Sequence, residues 1–574
     1  MPSKKAKIWK AWLPRLLART RLRERQVFLI LTIAIGLVAG LAAVLFTLAI
    51  HGIQLLLFGH SPSSARLVLV PTLASLVAGV LLARYFQDAR GSGVPQTKAA
   101  YHLSKGVIRA RTPVGKFITG ALCIGAGHSL GREGPAVHIG AGLASLLGRW
   151  FRLSPASVRN LVPVGAAAAL SAAFNTPIAA VLFALEEIVG DLNHAVIGST
   201  VLASVSAVVL ERAILGNQPL FAVPPYALVH PGELLAYAVL GVVGGIVSVI
   251  FCKGLLRARI LFRSLPNWSV YVQPAMGGLL IGLLLVAVPE VMGVGYEFVE
   301  RALHGQLLLK TLLLLGAMKV VATIISYASG NAGGIFAPAL FIGAMVGGAT
   351  GLLMRMQDLF PVSDAGAYAL VGMGTLFAGI IRAPMTSVFM IFELTQDYQI
   401  VVPLMIANMI SFAISRRFQR APVYQALLQQ DNIHLPSPER RAALHGWRVR
   451  DIMNRQMKTL PVESTVSGAL ERARQWGGQC FPVLDGDALA GLVTTEMLEK
   501  ALGDGDLERR LDSLSLWNDP TVHVHPDNPL ENALELLSQT PGVLPVTSRS
   551  DTRRLIGVIT LDSILKGMHA SRRF

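Results

Sequence analysis

The chain has few charged residues and very little cysteine. Asp, Glu, Lys and Arg make up 15% of its 574 residues, whereas a soluble domain carries about 25%. Its three cysteines, Cys123, Cys252 and Cys480, are far apart in sequence and form no CxxC pair. These scarcities argue against a soluble enzyme, a disulfide framework and a cysteine-ligated metal site, and we expect no metal.

Apolar residues, in contrast, occur in long runs without charge. They make up 53% of the chain, and four uncharged runs cover residues 27–50, 67–83, 161–185 and 320–354. About 20 apolar residues are enough to cross a bilayer. The sequence therefore predicts an all-α polytopic membrane protein.

Positive charge is concentrated between these runs. The net charge is +17, and the first 26 residues carry nine Lys or Arg against one acid, Glu24. This distribution follows the positive-inside rule, so we expect cytoplasmic termini. We also expect a bacterial inner membrane and no nucleic-acid partner. Membrane lipid is an expected partner, although topology explains the basic N-terminus without a specific lipid ligand.

The composition becomes that of a soluble protein near residue 430. We predict a basic cytoplasmic segment (1–26), a transmembrane domain (27–428), a linker (429–446) that includes HLPSPERR, and an α/β cytosolic part (447–570). The cytosolic part contains two copies, at about 447–505 and 506–570, in which Thr459 pairs with Thr521 and Gly491 with Gly557. Each copy predicts strand, helix, strand, hairpin, strand and helix, and the pair resembles the tandem CBS-domain module.

The membrane part also contains a repeat. FNTPIAAVLFALEE (174–187) matches IRAPMTSVFMIFEL (381–394), and in each a proline precedes a glutamate by nine positions: Pro177 precedes Glu186, and Pro384 precedes Glu393. GREGP (131–135) matches GIFAP (334–338) in the same order. Two halves with matching interrupted helices are typical of transporters built from structural repeats, with the binding site where the broken helices meet.

The pattern Gly-x-x-x-Pro occurs at GSGVP (91–95), GREGP and GIFAP. Proline in the first turn of a helix costs no hydrogen bond, and glycine lets a ligand approach the backbone closely. Each motif therefore predicts a helix N-terminus with free N–H groups, which attracts an anion but releases it more easily than a full charge would. The residues predicted to shape these helix starts are Gly91, Gly93, Pro95, Gly131, Arg132, Gly134, Pro135, Gly334 and Pro338.

Close packing of small residues between helices is the alternative explanation of such motifs. Close packing is the better explanation when such a motif occurs only once. Three motifs, two of them in repeat-related positions, favour an anion site.

GSGVP, GREGP, GGIFAP and the tyrosine of APVYQAL resemble, in order, the four signature segments of the CLC family of chloride channels and chloride/proton antiporters. The resemblance extends over about residues 27–428, and the CBS pair fits the same family's C-terminus. It implies that chloride is bound by the hydroxyls of Ser92 and Tyr424 and the backbone N–H groups of Ile335 and Phe336. It also implies a homodimer, with contact helices near residues 190–215 and 400–416.

Two glutamates carry the proton chemistry that the resemblance implies. Glu133 falls on the gating glutamate, which is also the external proton site, and Glu187 falls on the internal proton-transfer glutamate, which channels usually lack. An ionised carboxylate beside helix N-termini takes the place of an anion, and a protonated one loses that attraction. An Arg132–Glu133 ion pair is the less favoured alternative, because adjacent residues at a helix start usually point apart.

Several nearby residues receive simpler interpretations. Glu186, which has a repeat partner in Glu393, is interpreted as a helix-end charge. Lys116 is interpreted as a positive charge at the cytoplasmic edge, and His128 as a hydrogen-bonded structural residue. Gln96 stands where the family commonly has glutamate, with Lys98 nearby, which puts the family's proton entry in doubt for this chain.

The predicted function is chloride/proton antiport, without enzymatic activity. A passive voltage- or pH-gated chloride channel is the alternative. A membrane enzyme with Glu133 as general acid is disfavoured, because no nucleophile–base pair or metal cluster accompanies it. No cofactor is expected, and adenine nucleotide at the CBS pair is possible but not favoured, because Met497 and Ser563 replace the aspartate that holds ribose in nucleotide-binding copies.

Overall fold

The computed structural model describes residues 24–59, 62–191, 194–217, 220–221, 223–224, 226, 228–357, 361–435, 447–503, 508–517, 522–537 and 540–570. The chain divides into two compact units, Met1–Leu435 and Pro436–Phe574. Most of the basic N-terminal segment, most of the predicted linker and Thr521 lie outside the described residues.

The described part of the first unit is built from α-helices, one π-helical turn and short 3-10 turns. Eight helices among the described residues are long and apolar enough to cross a membrane. The π-helical turn is Ala184–Val189. The α-helices are α1 Glu24–Phe58, α2 Ser64–Arg84, α3 Val94–Leu103, α4 Arg111–Gly125, α5 Glu133–Trp150, α6 Pro155–Phe174, α7 Pro177–Phe183, α8 His194–Leu215, α9 Glu233–Arg263, α10 Gln273–Ala287, α11 Tyr296–Leu303, α12 Leu309–Ala328, α13 Phe336–Gln357, α14 Ala365–Ile380, α15 Pro384–Thr395, α16 Val401–Phe418 and α17 Val423–Gln430.

Each copy of the internal repeat, residues 174–187 and 381–394, begins with a break between two helices. In the run 161–185, α6 ends before Asn175, which has a left-handed backbone with φ 57°. Arg382 has the same conformation, with φ 68°, just before α15. Both residues stand two positions before a proline, which disfavours helical backbone in the residue preceding it. The two repeats thus break their helices in the same way.

Glu186 and Glu393 link the two repeats. Both carboxylate oxygens of Glu393 accept hydrogen bonds from the first turn of α7, from Ile178 N at 2.8 Å and Ala179 N at 2.7 Å. Glu186 in turn accepts from Thr386 N, at 2.9 Å, in the first turn of α15. Each repeat therefore caps a helix of the other with a negative charge, which the helix dipole favours. This confirms the interpretation of Glu186 as a helix-end charge.

The second unit contains two copies of a strand–helix pattern. The first copy has α19 Val466–Trp476, α20 Thr495–Gly503 and a three-stranded sheet of β1 Leu460–Pro461, β2 Cys480–Asp485 and β3 Ala488–Thr494, after the short α18 Val449–Ile452. The second has α21 Leu530–Leu537, α22 Leu561–Ala570 and the antiparallel pair β4 Val543–Thr547 and β5 Leu555–Thr560. Gly491 lies opposite Val483 and Gly557 opposite Val546, so the two glycines are equivalent, as the repeat predicts.

One predicted strand is shorter than expected. Among the described residues, the first strand of the second copy is reduced to a single parallel bridge between Val524 and Val546. Pro526 and Pro529 follow Val524 closely, and proline has no N–H to extend a ladder. The chain therefore leaves the sheet at this point.

Candidate functional site

The three Gly-x-x-x-Pro motifs each begin a helix, as predicted: α3 starts at Val94, α5 at Glu133 and α13 at Phe336. Gly131 and Gly334 exchange two backbone hydrogen bonds, of 2.7 and 2.8 Å. Gly333 N also donates to Gly91 O at 3.2 Å. The loops before the three helices are therefore in direct contact.

The approach of these loops depends on glycine. A Cβ added at Gly134 would lie 2.5 Å from Ser92 Oγ and 3.2 Å from Gly334 Cα. Carbon atoms do not approach that closely without displacing their neighbours. The first turn of α5 thus touches both other motifs at one point, which only a residue without a side chain allows.

Several hydrogen-bond donors near the contact of Gly134 with Ser92 and Gly334 have no acceptor in the described part of the chain. The hydroxyls of Ser92 and of Tyr424, on α17, are buried and make no hydrogen bond of ordinary geometry within the described residues. The N–H groups of Ile335 and Phe336, at the start of α13, have no backbone acceptor there. Buried donors are normally satisfied, so this cluster suits a small anion.

Glu133 is the first residue of α5 and is 0% exposed. Its Oε1 accepts a hydrogen bond of 2.8 Å from the hydroxyl of Tyr296. Arg132 turns away from it: Nη2 donates to Ala173 O at 3.0 Å, and the guanidinium lies 5.5 Å from the centre of the Tyr296 ring. The favoured sequence interpretation, in which Arg132 and Glu133 point apart, is confirmed.

Tyr296 was missed in the sequence interpretation. No motif contains it, and the available signal was weak: a glycine-rich turn, with Gly293 and Gly295, directly before an aromatic residue. Its contact with Glu133 joins positions 163 residues apart. Such a contact comes from the tertiary fold and leaves no local pattern in the sequence.

Glu187 lies in the π-helical turn and is 3% exposed. Its Oε1 forms an ion pair of 2.8 Å with Lys98 Nζ, which α3 contributes. A π-turn accommodates an extra residue, and here Glu187 contacts α3 while its neighbour Glu186 contacts α15. Lys98, which the sequence placed only near the first motif, is thus the direct partner of Glu187.

Two polar side chains hold the GSGVP loop. The interpretation of Lys116 as a cytoplasmic-edge charge is wrong: it is 0% exposed, and its Nζ donates to Gly91 O at 2.6 Å. Gln96 accepts from Gly93 N and donates to Arg90 O, both at 3.0 Å. A glutamate at position 96 would lack the second of these hydrogen bonds.

His128 is a structural residue, as predicted. It is buried, and its ring nitrogens contact the hydroxyls of Ser75 at 2.5 Å and Ser326 at 3.2 Å. Both nitrogens therefore have partners within the helix packing.

Two cavities reach the neighbourhood of the motifs. One, of about 410 Å³, is lined by residues that include Gly91, Gln96 and Tyr327. The other, of about 830 Å³, is lined by residues that include Arg132 and Tyr296. Solvent-accessible space thus approaches both the GSGVP loop and the start of α5.

The sequence model of the family described as voltage gated chloride channel matches residues 74–416, and that of the CBS domain matches residues 449–504 and 518–570. The chain belongs to the voltage-gated chloride channel family. It is 35% identical over 423 residues to a ClcB-like chloride channel protein of Ralstonia nicotianae, covering 70% of this chain and 97% of the relative.

Other relatives of this CLC chain are transporters. It is 31% identical over 418 residues to the H(+)/Cl(-) exchange transporter ClcA of Yersinia pseudotuberculosis, covering 70% of this chain and 87% of the relative. The solved structure of a slow cyanobacterial Cl-/H+ antiporter matches with a TM-score of 0.65 and 26% identity, covering 71% of this chain and 98% of the antiporter. The chain is therefore a membrane-integral CLC protein with two CBS domains.

Proposed function

We propose that the chain is a chloride/proton antiporter. The observation that carries this proposal is the presence of two buried carboxylates, Glu133 and Glu187, around a cluster of unused anion-binding donors. Both carboxylates are close enough to Tyr424 to interact electrostatically with its hydroxyl. Ionisable residues inside an apolar helix bundle are functional candidates by default.

In this proposal, chloride is bound by the hydroxyls of Ser92 and Tyr424 and by the N–H groups of Ile335 and Phe336. None of these groups carries a full charge, so chloride is attracted but also released. The positive ends of three helices add to the attraction. Gly134 and Gly334 leave the space that these groups need to converge.

Glu133 couples the two ions. When ionised, its carboxylate competes with chloride for the helix starts; when protonated, it loses that attraction and moves away. Glu187 exchanges the proton with the other side of the membrane. One cycle moves chloride one way and a proton the other, because a bound proton is what frees the anion site.

One observation favours a passive chloride channel as the second candidate. Lys98 forms an ion pair with Glu187, so it competes with a proton for that carboxylate. If Lys98 stays bound throughout, Glu187 transfers no proton and only Glu133 remains as a gate. The two candidates differ in whether chloride movement drives protons.

Reconstitution of the full chain in liposomes tests the proposal. A chloride gradient is imposed without a pH gradient or membrane potential, and the external pH is recorded. We expect the chloride gradient to drive protons although no proton gradient is imposed, so that a pH gradient develops, and we expect proton movement to reverse direction when the chloride gradient is reversed. Chloride flux without proton movement, relative to empty liposomes, would establish the passive channel instead.

Replacing Gly134 with alanine is expected to damage the anion site. The new Cβ would overlap Ser92 Oγ and displace it from the site, and a hydrogen bond to a charged group contributes about 1.5–3 kcal/mol. Chloride flux should therefore fall roughly 10- to 100-fold, at about 1.4 kcal/mol per factor of ten. Gly52→Ala is the matched control, because a Cβ there meets no atom within 4 Å; equal fluxes in the two variants would contradict the proposed site.

We also infer a homodimer in a bacterial inner membrane, with cytoplasmic termini. Its contact helices would be α8 and α16, whose outer faces expose apolar residues at helical spacing, among them Val201, Val205, Val209, Val402, Met405 and Met409. Cross-linking of a Val205→Cys variant measures this contact. The three native cysteines are buried, and burial raises the pKa of the Cys480 thiol to about 12, so they should not interfere.

For the CBS pair, we propose weak or absent adenine-nucleotide binding. Ser563 Oγ accepts from Thr560 N, and Thr560 Oγ1 accepts from Ser563 N, both at 3.1 Å. This reciprocal capping arrangement occupies Ser563 at the start of α22 and offers no carboxylate to a ribose. Calorimetric titration of the full chain with ATP measures the binding, and a tight complex would refute the proposal.

A further inference from the structure

Tyr296 lies between Glu133 and solvent-accessible space. It is partly exposed and lines the cavity of about 830 Å³, whereas Glu133 is 0% exposed. The Tyr296 hydroxyl donates to Glu133 Oε1 at 2.8 Å. Among the described residues, Tyr296 is the one side chain that forms a hydrogen bond of ordinary geometry with the Glu133 carboxylate.

The backbone before Tyr296 is firmly anchored. Gly293 and Gly295 adopt positive φ angles of 57° and 79°, which let the chain turn directly into α11. The buried Lys319 donates from Nζ to Val291 O at 3.0 Å and to Gly293 O at 2.7 Å. Gly293 N also donates to Gly127 O at 3.3 Å.

The Tyr296 ring is also fixed. Phe221 packs edge-on against it with 5.2 Å between ring centres, and the Arg132 guanidinium lies 5.5 Å from its centre. The phenol oxygen is therefore held in place before Glu133 changes its protonation state. A donor fixed in this way favours one position of the carboxylate.

Other charged or titratable groups near Glu133 are few among the described residues. Arg132 precedes it on the same chain segment, and the buried Tyr424, on α17, is close enough to interact with its charge. Glu211, on α8, lies near Arg132. His51, Glu290 and Glu297 line the same cavity as Tyr296.

We propose that Tyr296 is a positioning residue for Glu133: its hydroxyl holds the ionised carboxylate at the anion site and thereby sets the external pH at which the carboxylate is released. This inference rests on the proposed function of Glu133 as the gate. A hydroxyl binds an ionised carboxylate more strongly than a protonated one. Loss of the hydroxyl therefore favours the protonated, released form.

The test is Tyr296→Phe, which keeps the ring and removes the hydrogen bond. Chloride efflux from liposomes is measured over a series of external pH values. A hydrogen bond to a charged group is strong enough to move the midpoint of acid activation by about one pH unit. We expect the midpoint to move to higher pH, so that efflux near neutral pH rises severalfold.

Two further variants separate positioning from a merely structural role. Phe298→Leu alters the same helix and cavity without touching Glu133, and its midpoint should match that of the unmodified chain. The Glu133→Gln variant has no titrating carboxylate at this position. Adding Tyr296→Phe to it should therefore leave the pH dependence of chloride efflux unchanged.

A fall in efflux of Tyr296→Phe at every pH with an unchanged midpoint would overturn the inference. So would an equal shift in Phe298→Leu, or a shift of the same size in the Glu133→Gln background. The proposed antiport fails on a different measurement, the absence of uphill proton movement in the unmodified chain.

Discussion

Replacing Glu133 with alanine is expected to abolish proton transport while chloride transport continues. The methyl group cannot carry a proton, and it cannot compete with chloride for the starts of α5 and α13. A positioned proton-transfer group contributes roughly 100-fold or more, so proton flux should fall by about that factor. Chloride flux should persist and lose its dependence on external pH, which parallel chloride-electrode and pH-electrode recordings on one liposome preparation would measure.

Glu211→Ala is the matched control for this variant. Glu211 is also a largely buried carboxylate, 7% exposed, and it lines a cavity together with Arg132. It has no part in the proposed proton transfer, so its replacement should leave the proton-to-chloride ratio unchanged. A Glu133→Ala protein that folds and dimerises but conducts neither ion would show that Glu133 supports the fold rather than gates the anion.

Replacing Glu187 with glutamine is also expected to abolish proton transport, because Glu187 is the proposed proton carrier on the side of the membrane opposite to Glu133. The amide binds no exchangeable proton at neutral pH, so proton flux should again fall by roughly 100-fold. Chloride flux should remain, because Glu187 supplies no group to the proposed chloride site and its carboxylate is paired with Lys98. The ratio of proton to chloride flux is therefore the quantity to measure.

The ion pair with Lys98 requires a second variant. Removing one partner of a buried pair leaves an uncompensated charge and costs about 3–5 kcal/mol, so Glu187→Gln alone could lose proton transport through misfolding. In Lys98→Met/Glu187→Gln both charges are gone, and thermal stability should recover. Normal proton flux in the stable double variant would rule out Glu187 as a proton carrier.

The Lys98→Met single variant distinguishes the two candidate functions. If Lys98 limits protonation of Glu187, its removal should raise the proton-to-chloride ratio. If the chain is a passive channel because Lys98 stays bound to Glu187, the unmodified chain should have a ratio of zero, and proton movement should appear only in the variant. Lys105, a basic residue beyond the end of α3, provides the control, because it contributes no group to the site.

Much of the site could be predicted from short motifs. Proline and glycine restrict or free the backbone locally, so the starts of α3, α5 and α13 follow from the sequence without tertiary information. The repeated Pro-to-Glu spacing similarly indicated a helix-end role for Glu186. These predictions succeeded because their causes lie within a few residues of each other.

Other features could not be predicted in this way. Lys116 was placed at the cytoplasmic edge because lysines in basic segments usually lie there, yet it is buried against Gly91 O. The contact of Tyr296 with Glu133 and that of Lys98 with Glu187 join distant segments. No local pattern records which side chain faces a buried carboxylate.

The sequence by itself determined that the chain is a membrane protein with repeated, broken helices, because hydrophobic length, proline position and glycine spacing act locally. The CLC family and the CBS domains followed from the resemblance of its motifs. The tertiary structure alone decided which groups meet at the start of α5. It brought Gly134 against Ser92, Tyr296 onto Glu133 and Lys98 onto Glu187. Those contacts depend on how helices far apart in the chain pack, and packing is a property of the whole fold.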